Sequence, residues 1–226
     1  HLDSLGDLVN YTENKLNIVL NSVHDNPIVD PARNRIYHSG NFYAGDIASR
    51  MDYARIEIGK TSKYLHALAN RLLDENKNNG LGGNLVAVQD GTQNGFKGLN
   101  LLATALTTSL SGVTAVSPLT LPTERENQDI VSLGFEAAKE AYHATDVLET
   151  LVAVVLICAL QAFDLRLAKE NVVLSDASFN PALIELHRTF RTLVPFMKKD
   201  TSFHTVLKNL KEFIRNENDA IIGVDR

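Results

Sequence analysis

The chain has 226 residues, a net charge of −5 at pH 7, 44% hydrophobic and 22% charged side chains, and one cysteine. That length can bury a full core as one large domain or two small ones, and the balance is ordinary for a soluble globular chain. The charge gives no basis for binding nucleic acid or an anionic membrane, and a single cysteine excludes an internal disulfide and any cysteine-rich zinc site. Cys158 lies in an apolar run and reads as an inert core thiol. A reducing compartment fits it, and a cytoplasmic location is expected. The chain opens at His1 with no visible signal peptide, and reads as one piece of a longer polypeptide.

Leu5, Leu8, Leu16, Ile18, Val19 and Val23 fall at helical spacing and predict a first helix of roughly 20 residues. Asp25-Asn26-Pro27 ends it, because proline disfavours helix in the residue before it. Residues 28–39 read as a loop with Pro31 and Asn34. A long helix is expected from about Asn41 to Asp74, striped by Ile47, Met51, Ala54, Ile58, Leu65, Leu68 and Leu72; at ~1.5 Å per residue it would exceed about 45 Å. Residues 76–94 are rich in glycine and asparagine and read as a mobile loop.

A third helix is expected from near Asn94, carrying Leu99, Leu102, Leu106 and Leu110. A connector with Pro118 and Pro122 leads to a fourth, from about Gln128 to Arg166. Two shorter helices close the chain, at about 181–196 and 202–216. No strand-like alternation persists, so the class is all-α. The chain divides into a central long-helix region, 1–166, and a C-terminal helical segment, 167–226. Residues 151–160 are apolar on every side, yet that run is shorter than the ~20 residues a bilayer needs. A helix apolar all round is a buried one, and burying it in so small a chain calls for helices from other subunits.

The chemistry the residues exclude is clear. None of His1, His24, His38, His66, His143, His187 and His204 forms an i, i+4 pair or sits in a carboxylate cluster, so no metal site is expected. Gly80-Leu81-Gly82-Gly83 lacks the Lys-Ser/Thr of a phosphate loop, and no serine sits in a nucleophile elbow. What remains are polar punctuations at the mouths of helices. Ser39-Gly40-Asn41-Phe42 could be simple capping with Phe42 packed inward. In Glu124-Arg125-Glu126-Asn127-Gln128-Asp129 the carboxylates could serve only the helix dipole. Glu124 and Gln128 are four residues apart, so they can line one side of a pocket if that turn is helical.

These motifs, with Asp25-Asn26-Pro27 ahead of both as a third polar punctuation, Gly95-Phe96-Lys97-Gly98 between Phe42 and Glu124, and Ile130-Val131-Ser132-Leu133-Gly134 following, come in a definite order. In order and spacing, over roughly 21–166, the chain resembles the C-terminal half of the aromatic amino-acid ammonia-lyases. That family includes the histidine, phenylalanine and tyrosine enzymes and the related aminomutases. The resemblance implies a fumarase/aspartase-like bundle of long antiparallel helices, assembled as a homotetramer with active sites shared among subunits, so that Phe42 and Gln128 of one chain need not serve the same site. It implies that Phe42 packs beside the prosthetic group and meets the substrate with Asn41, which belongs to the same polar wall. Glu124 would stabilise the substrate ammonium or steer its proton, and Lys97 would lie near the aryl end of the pocket. Gln128 matches the phenylalanine and tyrosine enzymes, where histidine ammonia-lyases typically carry glutamate. A neutral amide suits an uncharged ring or phenol, and a carboxylate suits imidazole.

The family's electrophile is a methylidene-imidazolone ring made from an internal Ala-Ser-Gly, a tripeptide absent here. The family's catalytic tyrosine and carboxylate-binding arginine precede the position matching His1. The expected function is therefore the C-terminal part of a phenylalanine or tyrosine ammonia-lyase, inactive alone and needing its N-terminal part. A histidine ammonia-lyase, an aminomutase or a non-catalytic helical assembly protein is the alternative.

Overall fold

In the computed structural model, residues 2–112, 114–174 and 179–216 are described. The expected all-α class holds, with one small hairpin added. Helix α1 (Leu2–Leu20) turns Leu5, Leu8, Thr12, Leu16 and Val19 toward the protein, a three-to-four-residue spacing. The Asn21 and Ser22 side chains donate back to the carbonyls of Asn17 and Ile18, at 2.7 and 2.6 Å, where the helix ends. Strand β1 (Ile28–Asp30) then pairs antiparallel with β2 (Arg35–Tyr37), Ile28 opposite Tyr37. The sequence predicts a loop here, since three residues per strand are too few to display alternation. The Asp30 carboxylate accepts the Arg33 amide at 3.1 Å, which closes the turn.

Residues Asn41–Tyr43 form a single 3₁₀ turn, and left-handed Ala44 (φ 52°) separates it from α2 (Gly45–Leu73). The long helix therefore starts four residues later than periodicity predicts, and its 29 residues span about 43 Å. All seven stripe residues are buried or half-buried. The glycine- and asparagine-rich connector is held from within by Asn78. Its amide donates to the carbonyls of Leu72 (3.0 Å) and Gly82 (2.8 Å), and its oxygen accepts the Leu81 amide at 2.9 Å. Helix α3 (Lys97–Ser111) follows, then α4 (Gly134–Glu170), which begins six residues after the predicted start at Gln128. Asn180 caps α5 (Pro181–Leu193) by accepting the Ala182 amide at 2.9 Å, and α6 (His204–Asn216) ends the described chain.

The chain divides into two compact units, residues 1–61 with 110–146, and residues 62–109 with 147–226. The second holds the larger apolar core, including Leu85, Phe96, Leu151, Val154, Ile157 and Leu210. Cys158 is fully buried there, and burial pushes its thiol up to about 12, as an inert thiol requires. Gln161, 1% exposed, spends its amide on both main-chain groups of Met197, at 2.9 and 3.0 Å. In the same unit Asp164 joins His187 (2.7 Å) to Arg191 (2.7 Å). The apolar run 151–160 is covered mostly by its own chain: six positions are buried and Val152, Val155, Leu156 and Ala159 half-buried. By length and composition α4 could cross a bilayer, but half of its most apolar stretch is already buried. The polar anchors of Gln161 and Asp164 mark it as a core helix.

In the first unit, Ala48 on α2 and Ala137, Ala141 and Ala144 at the start of α4 are buried. The buried Asp52 carboxylate accepts the amides of Val116 (2.9 Å) and Ser117 (2.8 Å) and the Arg55 guanidinium (3.3 Å). Arg55 also donates to the Thr114 carbonyl at 3.0 Å. This buried pair fixes the connector that carries the chain from α3 toward the candidate site.

Candidate functional site

Three segments far apart in sequence converge in the first unit. The turn after α1 supplies Asp25 and Asn26, the 3₁₀ turn supplies Phe42 and Tyr43, and the stretch before α4 supplies Asn127, Gln128, Asp129 and Ile130. Together they line an open cleft of about 650 Å³. Each segment is aimed by its own bonds. The Asn26 side-chain oxygen accepts the Ser39 amide at 3.3 Å, tying the first segment to the second. Gln128 is fixed through its main chain, which exchanges bonds with Thr123 at 2.8 and 3.2 Å and leaves the half-buried side chain for the cleft.

Between Thr123 and Gln128 the chain makes a tight loop in which Glu124, Arg125 and Glu126 are all left-handed (φ 52°, 57° and 68°). That region is unfavourable for side-chain-bearing residues, and three in succession is a strained arrangement. The turn is therefore not helical, and the i, i+4 relation that would have put Glu124 beside Gln128 on one helix face does not apply. Glu124 is exposed, lies outside the cleft's lining, and its carboxylate accepts from the Asn127 side chain at 3.5 Å.

Phe42 faces the cleft and is 50% exposed, an aromatic face left for another group. Asn41 does not accompany it. Its side chain donates to the Val23 carbonyl at 3.4 Å, and it lines a neighbouring cleft of about 530 Å³ with Lys15, Ile18 and Ser117. Lys97 sits in the second unit, exposed, on the first turn of α3. Asn26 belongs to Asp25-Asn26-Pro27, a polar punctuation visible in the sequence to which no individual role is assigned there; it lines the cleft, as do Tyr43 and Asn127. Among the described residues no group of three histidine, cysteine, aspartate or glutamate side chains is placed to hold a metal.

An aromatic face beside the amides of Asn26, Asn127 and Gln128 suits a flat ring bearing carbonyl oxygens, because amide N–H groups donate to such oxygens without adding charge. The donor set thus fits the methylidene-imidazolone that the resemblance implies. The Ala-Ser-Gly from which that ring is made does not occur in these 226 residues.

Comparison with known proteins bears on this arrangement. The family described as aromatic amino acid lyase matches residues 3–192. The phenylalanine aminomutase of Taxus chinensis is 36% identical over 158 residues, covering 68% of this chain and 23% of its own length. A phenylalanine ammonia-lyase of Aspergillus hancockii is 30% identical over 198 residues, covering 86% of this chain and 26% of its own. The solved tyrosine aminomutase of Streptomyces globisporus superposes with a TM-score of 0.86 at 27% identity, over 97% of this chain and 40% of that one. The chain therefore spans between about a quarter and two-fifths of the lengths of these relatives.

Proposed function

Because the chain belongs to the aromatic amino acid lyase family, we propose that it is the C-terminal part of an enzyme that eliminates ammonia from phenylalanine or tyrosine to give an aryl acrylate. One observation carries this reading: Asn26, Phe42 and Gln128, from three separate motifs, line one cleft. In the elimination the C–N bond breaks, the β-carbon loses a proton, and ammonia leaves. The methylidene-imidazolone, made elsewhere in the complete enzyme, would supply the electrophile. Phe42 and the amide of Asn26 would hold that ring, and Gln128 would face the substrate's aryl group. Glu124, Asn41 and Lys97 keep the roles that the resemblance implies, within sites assembled from several subunits. One chain's Lys97 therefore need not serve the same site as its own Gln128. A homotetramer in the cytoplasm completes this reading.

Gln128 favours a neutral ring, because a buried carboxylate without a partner is costly and an amide is not. The complete enzyme should prefer phenylalanine or tyrosine to histidine in kcat/KM. Gln128→Glu should lower turnover of the neutral substrate and move preference toward histidine, by roughly tenfold or more in the ratio. A preference for histidine in the unmutated enzyme would sink the reading. The aminomutase reading is favoured by two of the relatives named above. Product analysis separates the two, since an aminomutase returns the ammonia to the adjacent carbon and yields a β-amino acid.

A further inference from the structure

The segment after α5 returns to the turn in front of α3, and it is anchored at both ends. Met197 is held by the buried Gln161 at one end, and Phe203 packs its ring 5.1 Å from that of Phe96 at the other. Between them lies Asp200. One carboxylate oxygen accepts the Asn94 amide at 2.8 Å and the Asn94 side chain at 3.4 Å; the other accepts the Gly95 amide at 2.9 Å. The Asp200 amide donates in return to the Gln93 side chain at 2.7 Å. The turn so gripped has no slack. Gly95 is left-handed (φ 59°), a Cβ there would lie 2.4 Å from the Asn84 carbonyl oxygen, and the Phe96 amide donates to that same oxygen at 2.9 Å. Two residues beyond Gly95 comes Lys97, the first residue of α3.

We infer that Asp200 is a positioning residue for substrate binding: its carboxylate fixes the turn 93–95 and thereby the direction in which Lys97 leaves α3. The inference rests on the reading of Lys97 at the aryl end of the pocket. Lysine carries its charge on a long flexible stem, so its reach depends on how firmly its first turn is aimed. The bonds to the two amides and the Asn94 side chain hold the Asp200 carboxyl below the ordinary carboxylate range against the opposing effect of burial. The grip is accordingly charge-assisted at neutral pH.

The test uses the complete enzyme with Lys97→Met and Asp200→Ala, singly and together, and kcat/KM on the better of phenylalanine and tyrosine. Each single change should lower kcat/KM by about tenfold or more, and the double variant should be no worse than Lys97→Met alone. A helix clamp of purely structural value would instead multiply with the lysine change, and that result would overturn the inference. If Lys97→Met is silent, the reading of Lys97 fails and the inference falls with it. Asp200→Asn replaces Asp200→Ala in the cycle if the latter does not fold. In that variant, hydrogen exchange at the Asn94 and Gly95 amides should rise by about tenfold; unchanged exchange would refute the grip itself whatever the kinetics.

Discussion

Asp52 is the residue on which the first unit leans most. Burial pushes its carboxyl up, but the amides of Val116 and Ser117 and the Arg55 guanidinium outweigh that effect and leave it below the usual range. A carboxyl depressed on folding adds stability above its unfolded value of about 3.9, and that stability is lost as the pH falls through the folded value. Asp52→Asn should therefore destabilise at neutral pH by about 2–4 kcal/mol, because one amide then meets an NH₂ group and Arg55 loses its buried partner. The gap between the two proteins in denaturant melts should be flat above about pH 5 and narrow below about pH 4. A gap independent of pH down to acid would refute this account. Sequence offered no sign of the role of Asp52, which depends on amides more than sixty positions away. The same is true of Gln161, whose partner Met197 is 36 residues off.

At the scale of elements, helices α2 and α3 were legible because apolar side chains repeat at helical spacing along them. Their starts were not legible, because termini are set by capping and backbone geometry. Left-handed Ala44 delays α2, and the stretch 128–133 is occupied by a bridge and a left-handed Leu133 before α4 can begin. Gly59 shows what pattern reading cannot see. A glycine inside a helix normally costs about 1 kcal/mol relative to alanine. Here a Cβ would lie 2.8 Å from the Leu110 carbonyl oxygen, so the glycine lets the end of α3 approach. Gly59→Ala should thus destabilise by about 1–3 kcal/mol instead of stabilising, as overpacking against backbone does. Thermal melts of the two proteins check the sign, and a raised Tm would show that the helices can separate freely.

For the whole molecule, the apolar run 151–160 proved to be largely satisfied within its own chain, so it no longer argues for association. Other surfaces take over that argument. Val9 (56% exposed) and Leu20 (76%) on α1, and Phe135 (79%) and Tyr142 (71%) on α4, are large side chains left to solvent. Such side chains mark an interaction site where they adjoin, and association is the measurement that decides it. The chain should self-associate, and light scattering should report species well above its 24.9 kDa, reduced by Phe135→Glu with Tyr142→Glu. A monodisperse monomer would count against the expected tetramer. The candidate site was legible in outline, since Phe42 and Gln128 do meet at one cleft. Asn41 and Glu124 lie outside that cleft's lining, because one residue along a 3₁₀ turn changes the direction a side chain faces, and the loop 124–126 is not helical.

The left-handed loop Glu124–Glu126 carries one further consequence. Residues held in such conformations cost on the order of 1–3 kcal/mol each, so the loop has a population as well as a shape. If the strain opens the loop in some molecules, Gln128 is aimed only in the remainder, and the apparent affinity of the cleft scales with that remainder. Whatever fills the cleft and favours the closed loop must raise that fraction. By reciprocity, any contact that steadies the loop must tighten the cleft for its occupant. Recognition at Gln128 and order at residues 124–126 are then two readings of a single equilibrium.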